Sequence, residues 1–449
     1  MAKTGLYTGL DIGTTSIKVV VAEYIEGQMN VIGVGNSKSE GLDRGIIVDI
    51  EKTVGSIRRA ISQAEEKAGI KITNVSVGLP ATSLQMERCS GMIAVGATSK
   101  EINDEDVFNV AMAAMVRSTP PERKIISVLP QNFTVDGFEG IKDPRGMIGV
   151  RLEMSGILFT GPKTIVHNIQ KAVEKADLHI DRLVITPLSL GSAILEDGEK
   201  EFGTILIDLG GGQTTTSVMH NRELKFSAVS SEGGDNVTRD ISVVLNTSHS
   251  SAEALKINYG NAYPEHASGT EEFPVDVIGQ EEPVKVTEKY LAEIIEARLV
   301  EIFNQAKDVL SEINVLNVPG GIVLTGGAAS IPGMVELAQA VFEVNVRLHV
   351  PSHMGLRNPV FSSVISLVEY AASLTEINCL VESARTGDHF VPINSGYGVK
   401  PCSISTNESF EQTIHQEEYA GDDYEEEYVR EKGEGIVQWA KKKWSKIFD

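Results

Sequence analysis

Cysteine is scarce in this chain of 449 residues: Cys89, Cys379 and Cys402 lie far apart and without metal-ligand spacing. That excludes a disulfide framework and suits a reducing compartment. Tryptophan is scarcer, with 2 residues, Trp439 and Trp444, both near the end of the chain. No apolar run approaches the ~20 residues that a membrane-spanning helix requires. The opening "MAKTGLYTGLDIG" enters a strand pattern with no signal-peptide core. A soluble, intracellular chain is the expectation. Positive charge is in deficit, with 40 Lys and Arg against 62 Asp and Glu and a formal charge of −22. A body so acidic does not hold nucleic acid by electrostatics, and no binding of nucleic acid is expected. The scattered histidines form no ligand set.

The chain is too long for one simple core, which predicts two to four domains or subdomains. An α/β rhythm opens it. The apolar spacing of Val54, Ile57, Ile61, Ala64 and Ala68 predicts a helix over 53–69, followed by the strand "NVSVGLP". From about Leu84 to Gly161 the texture changes to alternating strands around a helix opened by Asn103 with Asp106 three residues on. This reads as a small α+β module inserted in the first half. The α/β rhythm then resumes, and 248–286 reads as polar and loop-rich before a long amphipathic helix, "TEKYLAEIIEARLVEIFNQAKDVLSEI". Beyond about Arg385 the chain turns polar. Glu408 to Glu431 carries about ten acidic residues against one Arg, the composition of a disordered linker.

Two short stretches share one rhythm. "TGLDIGTTSIKVVV" (8–21) and "LIDLGGGQTTTSVM" (206–219) each have an apolar strand, an Asp, a Gly/Thr turn and more β-branched residues. Glycine in such a turn lets backbone N–H groups converge on an anion, and the threonine hydroxyls add donors. An Asp at the strand end is badly placed for phosphate but well placed to hold a water-bound Mg²⁺ facing it. One such hairpin could be an ordinary tight turn. A copy in each half argues for a duplicated domain with a phosphate chain clamped between the halves. "VLTGGAASIPG" (323–333) adds a strand running into Gly-Gly and a helix start, suited to close approach of a base or ribose.

Together these stretches resemble the actin superfamily of ATPases, which also includes sugar kinases and heat-shock chaperones. The wording of "GLPATSLQMERCSG", "EGGDNVTRDI" and "AEALKINYG", the insert and the C-terminal helix resemble the FtsA cell-division family within it. That resemblance implies an actin-like two-lobed α/β fold built on duplicated ribonuclease-H-like domains, with an inserted α+β subdomain and a disordered tail ending in an amphipathic helix. The implied boundaries are 1–84 and 162–197 for the first lobe and 85–161 for the insert. The second-lobe core takes 198–230 and 314–384, its partner-binding subdomain 231–313, an acidic linker 385–431 and the terminal helix 432–449.

The resemblance also implies an ATP site with Mg²⁺. Gly13, Thr14 and Thr15 would bind phosphate, with Lys18 reaching the phosphate chain, and Asp11 and Asp208 would orient Mg²⁺ through water. Gly210, Gly211, Gly212, Gln213 and Thr214 would form the opposing loop. Gly233 and Gly234 join the nucleotide site, and Gly326, Gly327 and Ala328 would line adenosine. Glu253 and Lys256 are either the pair that flanks base and ribose in the chaperone ATPases or a plain surface i,i+3 ion pair. Where actin and the chaperones carry a Gln or Glu to position the attacking water, "ITPLSLGSAIL" has Thr186 or Pro187. Neither is a competent base, so ATP binding with at most weak ATPase activity is expected and no catalytic residue is assigned.

The tail carries a second signal. Wound at about 100° per residue, Ile436, Val437, Ala440, Trp444, Ile447 and Phe448 gather on one face, flanked by Trp439. Lys441, Lys442 and Lys446 take the other face, with Lys443 at the border. Such a helix lies in a membrane interface with its lysines on anionic headgroups, or else folds back onto the body or a partner. The acidic stretch that isolates it from any core favours the membrane. In the resembling family the second-lobe subdomain receives the acidic C-terminal tail of the tubulin-like protein FtsZ, and Arg298 is the best-placed basic residue for it. The resemblance further implies filaments of the chain with itself, contacts with other divisome proteins and a place at the cytoplasmic face of the membrane at the division site. A PilM-like pilus-assembly scaffold and a sugar or small-molecule kinase share the fold and remain alternatives.

Overall fold

The computed structural model describes residues 5–96, 99–116 and 120–386. Its first lobe opens with β1 (Gly5–Ile12), β2 (Ser16–Ile25) and β3 (Gln28–Lys38), an antiparallel meander. The run of Ile17, Val19, Val20, Val21 and Ala22 in β2 is inaccessible to solvent, as expected for a strand covered on both faces. Helix α1 (Ile50–Ala68) begins where the Asp49 side chain accepts from the Lys52 N–H and ends at Gly69, left-handed with φ +68°. It packs on β3 and leads into β4 (Asn74–Leu79), parallel to β1.

The insert follows as β5 (Gln85–Ala94), α2 (Asp104–Met115), β6 (Arg123–Val135), β7 (Phe138–Ile141) and β8 (Arg151–Pro162). Its sheet runs β7-β6-β8-β5. Asn103 and Asp106 cap α2 reciprocally, the box their spacing predicts. The chain re-enters the first lobe through α3 (Lys163–Lys175), β9 (His179–Ile185) and α4 (Thr186–Ile194). Strand order in that lobe is β9-β4-β1-β2-β3.

The second lobe writes the same order again. After α5 (Asp197–Phe202) come β10 (Thr204–Leu209), β11 (Thr214–His220) and β12 (Glu223–Ser230), another antiparallel meander. Helices α6 (Gly234–Val244) and α7 (His249–Tyr259), the hairpin β13 (Glu272–Val275) and β14 (Val284–Thr287), and the long α8 (Glu288–Glu312) form its subdomain. Then β15 (Ile322–Thr325), α9 (Met334–Phe342) and β16 (Val346–Leu348) complete a sheet ordered β12-β11-β10-β15-β16. In both sheets the meander supplies three strands and two parallel strands are added beside the first. The repeat noticed in two short turns is thus a repeat of the whole sheet.

Two expectations need correction. The stretch 248–286 is not mainly loop: Ser248 caps α7 by accepting from the Ser251 N–H, and β13 pairs with β14. Only Ala252, Leu255 and Lys256 of α7 are buried, and Phe273, Val275 and Val286 are the hairpin's inward residues. Those patterns are too sparse to read as periodicity. The assignment of 314–384 to the second-lobe core also fails at its end. Helix α10 (Ser362–Ser373) packs on α4, β1, β2 and β4 of the first lobe, with Val364, Ile365 and Val368 against Val20, Ala22 and Tyr24. Helix α11 (Glu376–Thr386) lies on α2 and β6 of the insert, burying Ile377, Leu380, Val381 and Ala384. An apolar stripe says that a helix is covered, not which sheet covers it. The sequence reading placed nearly all of α11 in the second-lobe core, whereas its apolar residues cover the insert.

Candidate nucleotide cleft

The two Gly/Thr turns meet across the cleft between the lobes. Register places their aspartates identically: Asp11 at the end of β1 opposite Lys18, and Asp208 in β10 opposite Thr215. Cleft walls are formed by Asp11, Gly13, Thr14, Thr15, Lys18, Asp208, the turn Gly210–Gln213, Thr215, Gly326 and Gly327. Gly78, Thr186 and Pro187 line it from the first lobe, and Val360 and Ser363 from the crossing back to it.

Glycine is required where the jaws touch. A Cβ on Gly211 would stand 2.4 Å from Thr15 Oγ1, and one on Gly212 2.6 Å from Thr14 Cγ2. Gly326, at φ +95°, lies so close to the second jaw that a Cβ would stand 2.4 Å from Asp208 Oδ1. One contributor escaped sequence reasoning. Gly45, in the loop before α1, lines the cleft at φ +77° and donates its N–H to Thr14 Oγ1 at 2.9 Å. The glycine-bracketed "GLDRG" was its only signal.

Behind the second jaw the N-terminus of α6 donates into the turn, Gly234 N–H to Gly210 O at 2.9 Å and Asp235 N–H to Gly211 O at 2.8 Å. Gly233 is where the helix presses on that turn, since a Cβ there would stand 2.5 Å from Gly211 O. Thr214 is buried behind the turn and donates to Glu232 O at 2.8 Å. The Lys256 ammonium, in a residue 8% exposed, lies 2.7 Å from Glu253 and donates to Thr238 Oγ1 and Gly234 O. Ala328 is in this same layer, its Cβ 3.2 Å from where one on Gly234 would stand. Thus Gly233, Gly234, Glu253, Lys256 and Ala328 are not among the residues that line the cleft. They brace the turn that does. Burial alone would raise the Glu253 carboxyl, but hydrogen bonds from Lys256 and Thr238 outweigh it and hold it below the usual range.

The electrostatics of the cleft are asymmetric. The Lys18 ammonium sits 3.5 Å from Asp11 Oδ2, both largely buried. Asp208 has no cation on its own hairpin, and burial first, then the Asp11 charge, push its carboxyl up to about 6 against a smaller pull from Lys18. Two facing carboxylates short of positive charge suit a divalent cation. Gln213 Oε1, on a residue of the cleft wall, is buried without a protein partner. Backbone-lined turns, threonine hydroxyls, one buried lysine and two aspartates form a set that fits a phosphate chain with its cation. Thr186 and Pro187 stand at the head of α4 in the cleft wall and offer neither a carboxylate nor an amide.

Other site residues fall elsewhere. Arg298 of α8 sits among carboxylates. Its Nε donates to Asp240 at 2.6 Å, its Nη1 to Glu301 at 2.8 Å, and Glu232 lies 3.4 Å away. An acidic peptide reaching Arg298 would share its guanidinium with these carboxylates. Ile436, Val437, Trp439, Ala440, Lys441, Lys442, Trp444, Lys446, Ile447 and Phe448 lie outside the described residues. Among the described residues no single helix is long and apolar enough to cross a membrane, and no group of His, Cys, Asp and Glu side chains makes a metal-ligand set.

A two-lobed body with one sheet written twice, a cleft between the copies and a phosphate-type turn from each defines the actin-like class. Its solved likenesses agree. The PilM–PilN type IV pilus biogenesis complex aligns with a TM-score of 0.57 at 14% identity, covering 82% of this chain and 99% of that one. MreB5 of Spiroplasma citri bound to ADP aligns at 0.51 and 13% identity, covering 82% and 97%. Sequence comparison narrows the class. The family model "Cell division protein FtsA" matches residues 205–366, and "SHS2 domain inserted in FTSA" matches residues 81–160. The cell division protein FtsA of Enterococcus faecalis is 62% identical over 452 residues, spanning 100% of both chains. That of Bacillus subtilis is 44% identical over 371 residues, 83% of this chain and 84% of its own. The chain belongs to the FtsA family of cell division proteins.

Proposed function

We propose that this cell division protein binds ATP with Mg²⁺ in the cleft between its lobes and uses the nucleotide as an assembly switch. The observation that carries this is the paired turns, each with an aspartate at the same register and glycines where a side chain would clash. Gly13, Thr14, Thr15 and the Gly210–Gln213 turn would cradle the phosphates, Lys18 would neutralise them, and Asp11 and Asp208 would hold the water-bound cation. Gly326 and Gly327 would face the adenosine, with Ala328, Gly233, Gly234, Glu253, Lys256 and Thr214 fixing the walls behind. The bound cation would neutralise charge on the terminal phosphates. Absence of a carboxylate or amide from α4 supports slow turnover.

On the same reading the chain self-assembles into filaments when the lobes close on nucleotide. Its C-terminal helix lies on the inner face of the cytoplasmic membrane at the division site. There it tethers filaments of FtsZ, held through the acidic FtsZ tail, and recruits later divisome proteins. Support for the membrane contact comes from the aromatic and aliphatic face set against the lysines in 436–448. The test is co-sedimentation with anionic liposomes of the full chain and of a chain ending near Glu408, with and without Mg·ATP and FtsZ. Full-length protein should carry FtsZ into the pellet and the shortened chain should not. Equal pelleting of both would remove the tether.

A further inference from the structure

We propose that Gln213 orients the attacking water in the slow cleavage of the nucleotide, a task the head of α4 is not equipped to perform. The proposal rests on the nucleotide reading above and deepens it. In the cleft, Asp11 and Asp208 are committed to the cation, Lys18 only donates, and α4 contributes Thr186 and Pro187. Gln213 supplies the one side-chain amide. Its Oε1 is buried without a hydrogen-bond partner among the described residues.

That amide is held rather than loose. It packs against Gly45, where a Cβ would stand 2.4 Å from Oε1 and 2.8 Å from Cδ, so only glycine at φ +77° admits it. The Gly45 N–H is bonded in turn to Thr14 Oγ1. Gln213 therefore reaches from the second lobe into a slot built by the first, and the slot is complete only when the two jaws meet. Oε1 is closed to water while it faces Gly45, so it takes up a water only once bound nucleotide draws the amide toward the cleft that Gln213 lines; a phosphate oxygen has no proton to give it. With Oε1 accepting from the water and Nε2 donating to a terminal phosphate oxygen, the amide aligns the two reacting groups, a role glutamine plays in other nucleotide hydrolases. The water oxygen bonds to the γ-phosphorus as the bond to the β–γ bridging oxygen breaks, and the diphosphate leaves with that electron pair. An amide takes up no proton, so the water's proton passes to a phosphate oxygen. Without a base, turnover stays slow.

The test uses the full chain and its variants Gln213→Met and Gln213→Glu. Three quantities are measured: affinity for Mg·ATP and Mg·ADP by titration, single-turnover cleavage of ATP, and the thermal midpoint without nucleotide. Gln213→Met should lose no more affinity for Mg·ATP than for Mg·ADP, while single-turnover cleavage of the bound ATP falls by on the order of a hundredfold. Gln213→Glu keeps the acceptor but loses the Nε2 donor, so its cleavage should fall between that of the parent and that of Gln213→Met. Without nucleotide, Gln213→Met should melt no lower than the parent, because the acceptor it removes has no partner. Cleavage by Gln213→Met at the parent rate would overturn the proposal, as would a parent that binds ATP and cleaves none in a single turnover. A lower melting point together with equal losses for ADP and ATP would assign Gln213 to structure and overturn it too. Failure of the parent to bind Mg·ATP at all would instead sink the nucleotide reading.

Discussion

The two jaws of the cleft share a topology and differ in charge. In the first, Asp11 and Lys18 pair across the hairpin at 3.5 Å, so the turn carries its own counter-ion. In the second, Thr215 stands where the lysine would be, and Asp208 bears an uncompensated charge raised to about 6 by burial and by Asp11. The backing differs as well: Gly45 and its loop brace the first turn, and the N-terminus of α6 braces the second. Duplication kept the frame and divided the labour. The first jaw is electrically complete before any ligand arrives, and the second is left short of a cation.

The harshest way to break this comparison is to stop the jaws meeting. Gly211→Val places branched carbon where Thr15 Oγ1 stands, and Mg·ATP affinity should fall at least about a hundredfold, roughly 3 kcal/mol. Folding should survive, since the clash lies between lobes; titration beside a thermal melt separates the two effects. Next is Lys18→Met, which removes the cation from between two carboxylates. Nucleotide affinity should drop by tens-fold, about 2 kcal/mol, and the nucleotide-free protein should melt lower at pH 7.5 than at pH 5. A variant equally stable at both would show that the ammonium matters less than its burial suggests.

Asp208→Asn sharpens the asymmetry in the opposite direction. Because the folded carboxyl titrates near 6, above the ordinary 3.8, the folded state holds the proton more tightly than the unfolded one. Its contribution to stability is therefore present below about 4 and lost as pH rises through about 6. Asn should make the nucleotide-free protein more stable at neutral pH, by on the order of 2 kcal/mol, and remove that part of the pH slope. The same change should cost about tenfold in Mg·ATP affinity, and parental affinity should strengthen as pH rises through about 6. Denaturant melts from pH 4 to 8 decide it, since matching slopes in parent and variant would mean Asp208 is not the group responsible. The smallest effect belongs to Arg298→Ala, which reaches the second turn only through Glu232. With its partners partly in water, stability should change by about 1 kcal/mol in a denaturant melt.

The two turns were legible because their chemistry is local: an Asp, glycines and threonines within a few residues of one another. The α2 capping box and the Gly69 stop were legible for the same reason. What stayed hidden depends on which surfaces meet. Gly45 owes its role to Thr14 and Gln213, one distant along the chain and the other in the opposite lobe. Lys256 looked like half of a surface pair until Thr238 and Gly234 closed over it. The ion pairs of Arg298 stayed hidden because Asp240 and Glu232 lie on other segments. The helices α10 and α11 showed their apolar stripes but not their destinations.

Where α11 ends has a mechanical meaning. The described chain leaves the body at Thr386, from a helix whose Leu380 and Val381 are sunk in the core of the insert and whose Glu382 accepts from Ser127 of β6. A pull on the remainder of the chain therefore arrives at the insert before it reaches either lobe. It loads the face that joins α11 to α2 and β6, and beyond that the junction of α10 with β1 beside the first turn. Such a pull would run from the insert through α11 and α10 to β1, one continuous train of packed elements.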